Sequence, residues 1–261
     1  MVEKIELEIL STLQLEDFSS KIDFDIIKSL KKKGVEKTPF DYFDFYTSIS
    51  SVYSSKIEGE DIDMDSYMKH RFLNVKYEPD YTKKADDLFE AYKFVYSNML
   101  NKENLLAAHK ILSKNLLSES HRGIIRSNPM FVLNEEDRIE YVACDLYKVR
   151  IEFEKLFNDI AKLITTEIST IESFYFASLI HLTFVKIHPL QDGNGRTARL
   201  LEKWFLKTKL GEVATSIELE RNYFLNRKKY YSNIKALGLE YDTLDYSKSS
   251  DFLLMTIQSI K

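Results

Sequence analysis

Residues 171–209 read IESFYFASLIHLTFVKIHPLQDGNGRTARLLEKWFLKTK. The first part, Ile171 to Lys186, is apolar nearly all round, the pattern of a helix buried on most sides. His188-Pro189 ends that helix, because proline lacks a backbone donor and pushes the residue before it out of helical conformation. A helical pattern resumes from Arg196 to Lys209. Between the two lies Gly193-Asn194-Gly195, which holds two of only seven glycines in 261 residues. Backbone freedom is therefore concentrated in a helix–loop–helix joint.

Punctuation elsewhere is sparse. Four prolines and seven glycines separate long segments rich in Leu, Ile, Lys, Glu, Phe and Tyr, which favours helices over many short strands. One helix is predicted to begin at Thr38-Pro39-Phe40-Asp41, with Thr38 as N-cap and Pro39 in the first helical position. It runs to Gly59, a residue suited to a left-handed cap. Asp80 to Leu100 and Lys102 to Leu117 carry apolar residues three and four apart and read as two more helices. Asn128 to Val142 breaks the pattern. There Phe131-Val132 and Ile139, Tyr141 and Val142 flank an acidic turn, Asn134 to Asp137, which predicts a β-hairpin. The expected architecture is all-α with this one hairpin, in a single domain at 38–261 behind a helical extension at 1–37.

Composition narrows the function classes. Hydrophobic residues make up 44% and charged residues 30%, the balance of a globular protein with a sizeable core. A net charge of -4 lacks the basic excess of a nucleic-acid-binding domain. Cys144 is the one cysteine, so a disulfide framework or a cysteine-based zinc site within one chain is excluded. No apolar run is long enough to span a membrane, and MVEKIELEILSTLQLEDF lacks the basic and apolar regions of a leader. The expectation is a cytoplasmic protein that engages neither nucleic acid nor membrane.

The joint itself is rich in chemistry. A helix N-terminus after a loop offers unpaired N–H groups and the positive end of a dipole. Gly193 and Gly195 allow close approach and positive φ, so the backbone can form an anion nest. Arg196 and Arg199 share a helical face and present forked donors suited to phosphate oxygens. Asp192 adds a hard oxygen ligand suited to Mg2+ bridging a nucleotide. His188 carries an imidazole able to take a hydroxyl proton near neutrality. No G-x-x-x-x-G-K-[ST] occurs, which excludes a Walker A loop. Singly, a Gly-Asn-Gly turn most often connects, and an Arg-x-x-Arg pair most often lies on a solvated face. Their coincidence with His188 and Asp192 favours phosphoryl or nucleotidyl transfer.

His188-Pro-Leu-Gln-Asp-Gly-Asn-Gly-Arg-Thr-Ala-Arg199 resembles the signature of Fic-domain proteins, H-x-F-x-[DE]-G-N-G-R-x-x-R. It departs at Leu190, where the family usually places a Phe that anchors the loop. The resemblance spans roughly residues 40 to 240. It implies an all-α core with a hairpin flap, and transfer of AMP from ATP to a hydroxyl side chain (Tyr, Thr or Ser) of a target protein. It further implies His188 as the base and Asp192 as the ligand of Mg2+, with Mn2+ as a substitute. Gly193, Asn194, Gly195 and Arg196 would hold phosphates, and Arg199 would grip the γ-phosphate. Gly123-Ile-Ile-Arg126 resembles the lead into the flap, on which a target backbone would dock by strand addition. A hairpin that merely covers the core fits those residues equally. Asn226-Arg-Lys-Lys-Tyr-Tyr231 resembles a segment near the nucleotide base, which would bring Tyr231 there; paired tyrosines on a helix also suit plain packing.

Glu58 stands in the last turn before Gly59, at the negative end of a helix dipole. That placement costs roughly 0.3–1 kcal/mol unless a cation offsets it, and a solvated Glu that tolerates the cost is one reading. Ser54-x-x-x-Glu58-Gly59 also resembles the inhibitory motif [ST]-x-x-x-E-[GN] of Fic proteins, here on the helix at about 39–58, N-terminal to the core. The resemblance then implies that Glu58 pairs with Arg199, that Ser54 orients the carboxylate, and that ATP binds in a non-productive pose. Together these imply an auto-inhibited protein adenylyltransferase that modifies itself once released, with a homodimer as in many relatives. Transfer of UMP, phosphocholine or phosphate, and hydrolytic de-AMPylation, are the alternatives on the same fold. A module that only senses nucleotides has no need of His188 or Asp192.

Overall fold

Helices follow the apolar periodicity, and the computed structural model describes residues 5–33, 41–133, 136 and 138–260. In chain order the helices are α1 Leu15–Ser20, α2 Phe24–Lys33, α3 Tyr42–Ile57, α4 Met64–Leu73, α5 Pro79–Tyr96, α6 Lys102–Leu112, α7 Val149–Thr165, α8 Thr170–Ile187, α9 Asn194–Leu210, α10 Leu219–Leu225, α11 Arg227–Lys235 and α12 Ser250–Ile257. Strands β1 (Phe131–Leu133) and β2 (Ile139–Val142) pair antiparallel between α6 and α7, as the single sheet among the described residues. The expected all-α fold with one hairpin is what the chain adopts. No helix among the described residues is long and apolar enough to cross a membrane.

The run at 171–186 becomes α8, which starts with a capping box: Glu172 N–H donates to Ser169 Oγ (3.2 Å) and Ser169 N–H to Glu172 Oε2 (2.6 Å). Two orphan donors are thereby satisfied. Phe174, Phe176, Ile180, Leu182 and Phe184 of α8 are fully buried, as are Leu200, Leu201 and Phe205 of α9. Leu10, Phe18, Ile22 and Leu30 join the same core cluster. The N-terminal segment is clipped onto α7 by Asp159, whose buried carboxylate accepts the N–H groups of Glu8 (2.7 Å), Ile9 (2.8 Å) and Leu10 (2.9 Å).

The expected helix start at Thr38-Pro39 lies outside the described residues. Within them α3 begins at Tyr42 with Asp41 as N-cap, accepting from Asp44 N–H at 2.9 Å. Five small side chains of α3, Ser48, Ser50, Ser51, Ser54 and Ser55, are buried, so the helix sits deep in the fold. Ser50 accepts from Lys203 Nζ (2.6 Å) and Ser54 Oγ from Arg199 Nε (2.9 Å). Each pair of positions is one turn apart, so α3 runs antiparallel to α9. Ser50 Oγ also donates to the buried Glu220 (2.9 Å), which Tyr92 reaches from α5 at 2.5 Å. At its C-terminus Gly59 N–H reaches Lys56 O and Glu60 N–H reaches Ser55 O, both at 3.1 Å. With Gly59 at φ +89° this is a Schellman turn.

Two helices stop short of expectation. Helix α5 ends at Tyr96, where the Asn98 carboxamide takes Phe94 O (2.7 Å). Helix α6 ends at Leu112, because Asn115 turns its N–H (2.9 Å) and carboxamide (2.6 Å) to Asp87. In the hairpin Phe131 faces Val142 and Leu133 faces Ile139, with a register irregularity between Val132 and Leu133. Asn134, Glu135 and Asp137 of the expected turn lie outside the described residues. These four cross-strand apolar residues remain exposed, whereas Tyr141 turns inward and donates its hydroxyl to Lys186 O (2.6 Å).

Candidate active site

The loop begins where α8 ends, on His188 in the left-handed region (φ 52°, ψ 58°). A non-glycine residue pays roughly 1–2 kcal/mol for that conformation, so something must hold it. Arg126 does: its Nε donates to His188 O (2.7 Å) and its backbone N–H to Pro189 O (2.9 Å). The buried guanidinium also reaches Ile187 O (3.4 Å), Asn128 O (2.7 Å) and Cys144 O. One cation thus ties both feet of the hairpin to the carbonyl end of α8, where the dipole favours it.

His188 Nδ1 lies 3.2 Å from Val185 O. A carbonyl only accepts, so Nδ1 carries the proton and Nε2 keeps its lone pair. Burial lowers the imidazole pKa to about 4, against the opposing pull of the Val185 contact. At neutral pH His188 is therefore an uncharged acceptor.

Beyond it, Leu190 is buried and bridges Ile125, filling the anchoring position with a smaller side chain. Its N–H donates to Asn194 Oδ1 (3.0 Å) and its carbonyl accepts from Asn194 Nδ2 (2.8 Å). The Asn194 carboxamide is thus committed to the loop, and what it offers a ligand is its backbone N–H. His109 of α6, missed in the sequence, closes the loop from beneath. Its Nδ1 accepts Gly123 N–H (2.9 Å), so Nε2–H donates to Asp192 O (3.0 Å). Burial lowers its pKa to about 4 as well.

Gly193 caps α9 in a left-handed conformation (φ 75°) with no side-chain cap. A Cβ there would stand 3.3 Å from Leu112 Cδ1 and 3.4 Å from His109 Nε2, and would be strained by the backbone alone. Thr197 N–H returns to Gly193 O (2.9 Å), which leaves Asn194, Gly195 and Arg196 N–H without intrahelical partners. Three orphan donors at a helix N-terminus are the arrangement that can receive an anion. Asp192 is exposed beside it, with Oδ1 accepting Gly193 N–H at 2.6 Å. No cluster of three metal-ligating side chains occurs among the described residues. One free-standing carboxylate next to an anion nest fits Mg2+, which is held by one or two carboxylates plus phosphate oxygens and keeps its waters.

Arg199 is fully buried and enclosed by α3 and α11. Its Nη2 donates to Glu58 Oε1 (2.6 Å) and Ser54 O (3.2 Å), its Nε to Ser54 Oγ (2.9 Å) and its Nη1 to Tyr230 OH (3.2 Å). Burial alone would raise the Glu58 carboxyl, but the charges of Arg199 and Arg196 outweigh it and hold its pKa below the ordinary value. Gly195 makes this contact feasible, since a Cβ there would lie 2.5 Å from Glu58 Oε1. Arg196 Nη2 donates to Glu60 Oε1 at 3.2 Å, an oxygen that Lys84 Nζ also reaches at 2.7 Å.

The structure thus brings Ser54, Glu58, Gly59, Arg196 and Arg199 together around Gly193–Gly195, with His188 and Asp192 on the same loop. Tyr231 stands at the edge, its hydroxyl donating to Ile57 O (3.2 Å) under the Arg227 guanidinium. Its neighbour Tyr230 is the one in contact with Arg199, and is braced from behind by His181 Nε2 (3.0 Å) and, through His181 Nδ1, by Glu202 (2.6 Å). Glu60, Tyr230 and His181 were not read from the sequence. A second carboxylate two residues after Glu58 was the one local sign of the first.

Residues 99–206 match the model of the Fic/DOC family. Over 119 residues the chain is 34% identical to "Protein adenylyltransferase Fic" of Nematostella vectensis, a match covering 44% of this chain and 26% of that protein. The chain thus matches about a quarter of the length of that relative. Among solved structures, a Fic family protein from Desulfovibrio desulfuricans G20 superposes with a TM-score of 0.74 at 19% identity, covering 98% of this chain and 74% of that one. A Fic-domain-containing signaling protein from Bacteroides thetaiotaomicron VPI-5482 gives 0.69 at 16% identity, covering 91% and 94%. At such identities the likeness is one of fold.

Proposed function

We propose that this chain, whose residues 99–206 match the Fic/DOC family, is a protein adenylyltransferase held at rest by Glu58. The observation that carries the reading is the 2.6 Å contact between Glu58 and Arg199 beside a neutral His188 and the helix N-terminus at Gly193–Gly195. In the reaction, the hydroxyl oxygen of the target attacks the α-phosphorus of ATP and its proton passes to His188 Nε2. The bond from that phosphorus to the pyrophosphate oxygen breaks, and pyrophosphate leaves. Nest N–H groups and Arg196 would hold the phosphates in line, which is most of what such transfers need from a protein. Asp192 would hold Mg2+, or Mn2+ in its place, which when bound supplies charge neutralisation at the phosphates. Arg199 would take the γ-phosphate once Glu58 leaves it. The hairpin, with one apolar face exposed and Arg126 fixing its feet, would present an edge for a target strand.

The test is intact-mass measurement of the Glu58→Gly chain after incubation with ATP and Mg2+. The expected result is a gain of one adenylyl group per modified site, absent or weaker in the wild type. A gain of phosphate alone would replace adenylyl transfer by kinase chemistry, and equal incorporation by both forms would remove Glu58 from any inhibitory role.

A further inference from the structure

We infer that Glu60 is a second inhibitory carboxylate, occupying Arg196 as Glu58 occupies Arg199, so that the two together set the selectivity of the site for di- and triphosphates. This rests on the reading of the loop as a nucleotide site. The two carboxylates flank Gly59, and their backbone N–H groups are both tied to Ser55 O at 3.1 Å. One rigid turn therefore aims two anions at one face of α9, where each meets a loop arginine, at 2.6 Å and 3.2 Å. Arg196 is almost wholly buried, and its Nε has no partner. Glu60 thus takes a donor on Nη2, while the buried Nε is left unsatisfied, so the Arg196 fork is not fully committed to Glu60.

The two contacts differ in how readily they exchange. Glu58 faces a guanidinium with no solvent exposure, whereas Glu60 is shared with Lys84, whose side chain is 38% exposed. When a phosphate claims Arg196, Glu60 keeps a cationic partner in Lys84. Meanwhile α3 is anchored through Ser50 and Ser54 and the turn through Ser55 O, so what has to yield is the two carboxylate side chains. A diphosphate that reaches Arg196 but not Arg199 has to displace Glu60 alone. A triphosphate has to displace both.

Calorimetric titration of the chain with ADP and with ATP, each with Mg2+, tests this in the wild type, Glu58→Gly, Glu60→Gln and Glu60→Asp. Glu60→Gln is expected to tighten ADP about fivefold, the upper range for a part-exposed ion pair. Glu58→Gly should tighten ATP while changing ADP less than about twofold. Glu60→Asp keeps the charge but withdraws it by one methylene, and should tighten ADP as Gln does. Two results would overturn the second brake: ADP affinity unchanged in Glu60→Gln, or a Gln effect without an Asp effect, which would reduce the contact to a distant charge. Either, with ATP still tightened by Glu58→Gly, leaves the proposed function standing. Absence of nucleotide binding in every form would sink both.

Discussion

The two ends of the loop are held by different kinds of partner. From His188 to Asn194 the loop's backbone is braced from inside the fold: Arg126 on His188 O, His109 on Asp192 O, and the Asn194 carboxamide on both sides of Leu190. From Arg196 to Arg199 the guanidinium groups are instead met by carboxylates of the turn after α3. Bonds to and from backbone groups in the first half have no reason to exchange with a nucleotide. Carboxylate-to-guanidinium pairs in the second half are what a phosphate can replace. One half is scaffold and the other is a seat already taken.

The largest expected effect separates chemistry from seating. On a Glu58→Gly background, His188→Ala should lower transfer of labelled AMP by ~100-fold or more, the range for removing a general base, with Mg–ATP affinity unchanged. Transfer that survives would take His188 out of the base role. Next in size, Glu58→Gly alone should raise transfer about tenfold while lowering thermal stability, because Arg199 is buried and loses its one carboxylate partner. Mg–ATP should then restore Tm by more than it adds to the wild type, since on the proposed reading the γ-phosphate would fill that gap. A variant that is more active yet no less stable would mean that Glu58 is not seated on Arg199 in solution.

Asn194→Ala breaks the other half. It strips a buried N–H and a buried carbonyl of Leu190 of their partners, at about 1–3 kcal/mol for each group left unsatisfied. Tm should fall by several degrees, and Mg–ATP should add no more to it than it adds to the wild type, because on the proposed reading the phosphates do not replace those bonds. Ligand rescue of Glu58→Gly without rescue of Asn194→Ala is the signature of a replaceable seat on a fixed scaffold. Equal rescue of both would erase the distinction.

How far the sequence discloses each half depends on the same division. Gly193, Gly195, Arg196 and Arg199 are residue types rarely placed together by chance, and the apolar run before them announces α8. The partners of the scaffold leave no such trace. His109 lies on an otherwise ordinary amphipathic helix, and it contacts Gly123 and Asp192 only once the chain has folded. Tyr230 and Tyr231 are adjacent on α11, and which of them turns toward Arg199 depends on helix phase against α9, not on residue type. Thr38-Pro39 has the form of a helix start, yet the cap of α3 among the described residues is Asp41, three positions from Asp44 as a cap requires. Glu60 is invisible as a partner of Arg196 until the Schellman turn sets its direction.

The smallest expected effect concerns acid. His109 and His188 both have pKa values lowered by burial to about 4, against an ordinary value of about 6.5. Between those values the unfolded chain binds protons that the native protein refuses, so stability falls as pH drops from about 6.5 toward 4. His109→Gln should remove its share of that loss, making Tm between pH 7 and pH 5 a few degrees flatter, even if its value at pH 7 is lower. Glu58 behaves in the opposite sense. Its pKa is depressed by the arginines, so its stabilising contribution is present above the ordinary carboxyl value and is lost only as pH falls through the lower folded one. At pH 5.5, above the ordinary carboxyl value, the Glu58 carboxylate therefore stays charged. AMP transfer by the wild type should stay as suppressed relative to Glu58→Gly at pH 5.5 as at pH 7. A ratio that collapses on mild acidification would show that the carboxylate is held less tightly by Arg199 than a 2.6 Å, part-buried contact implies.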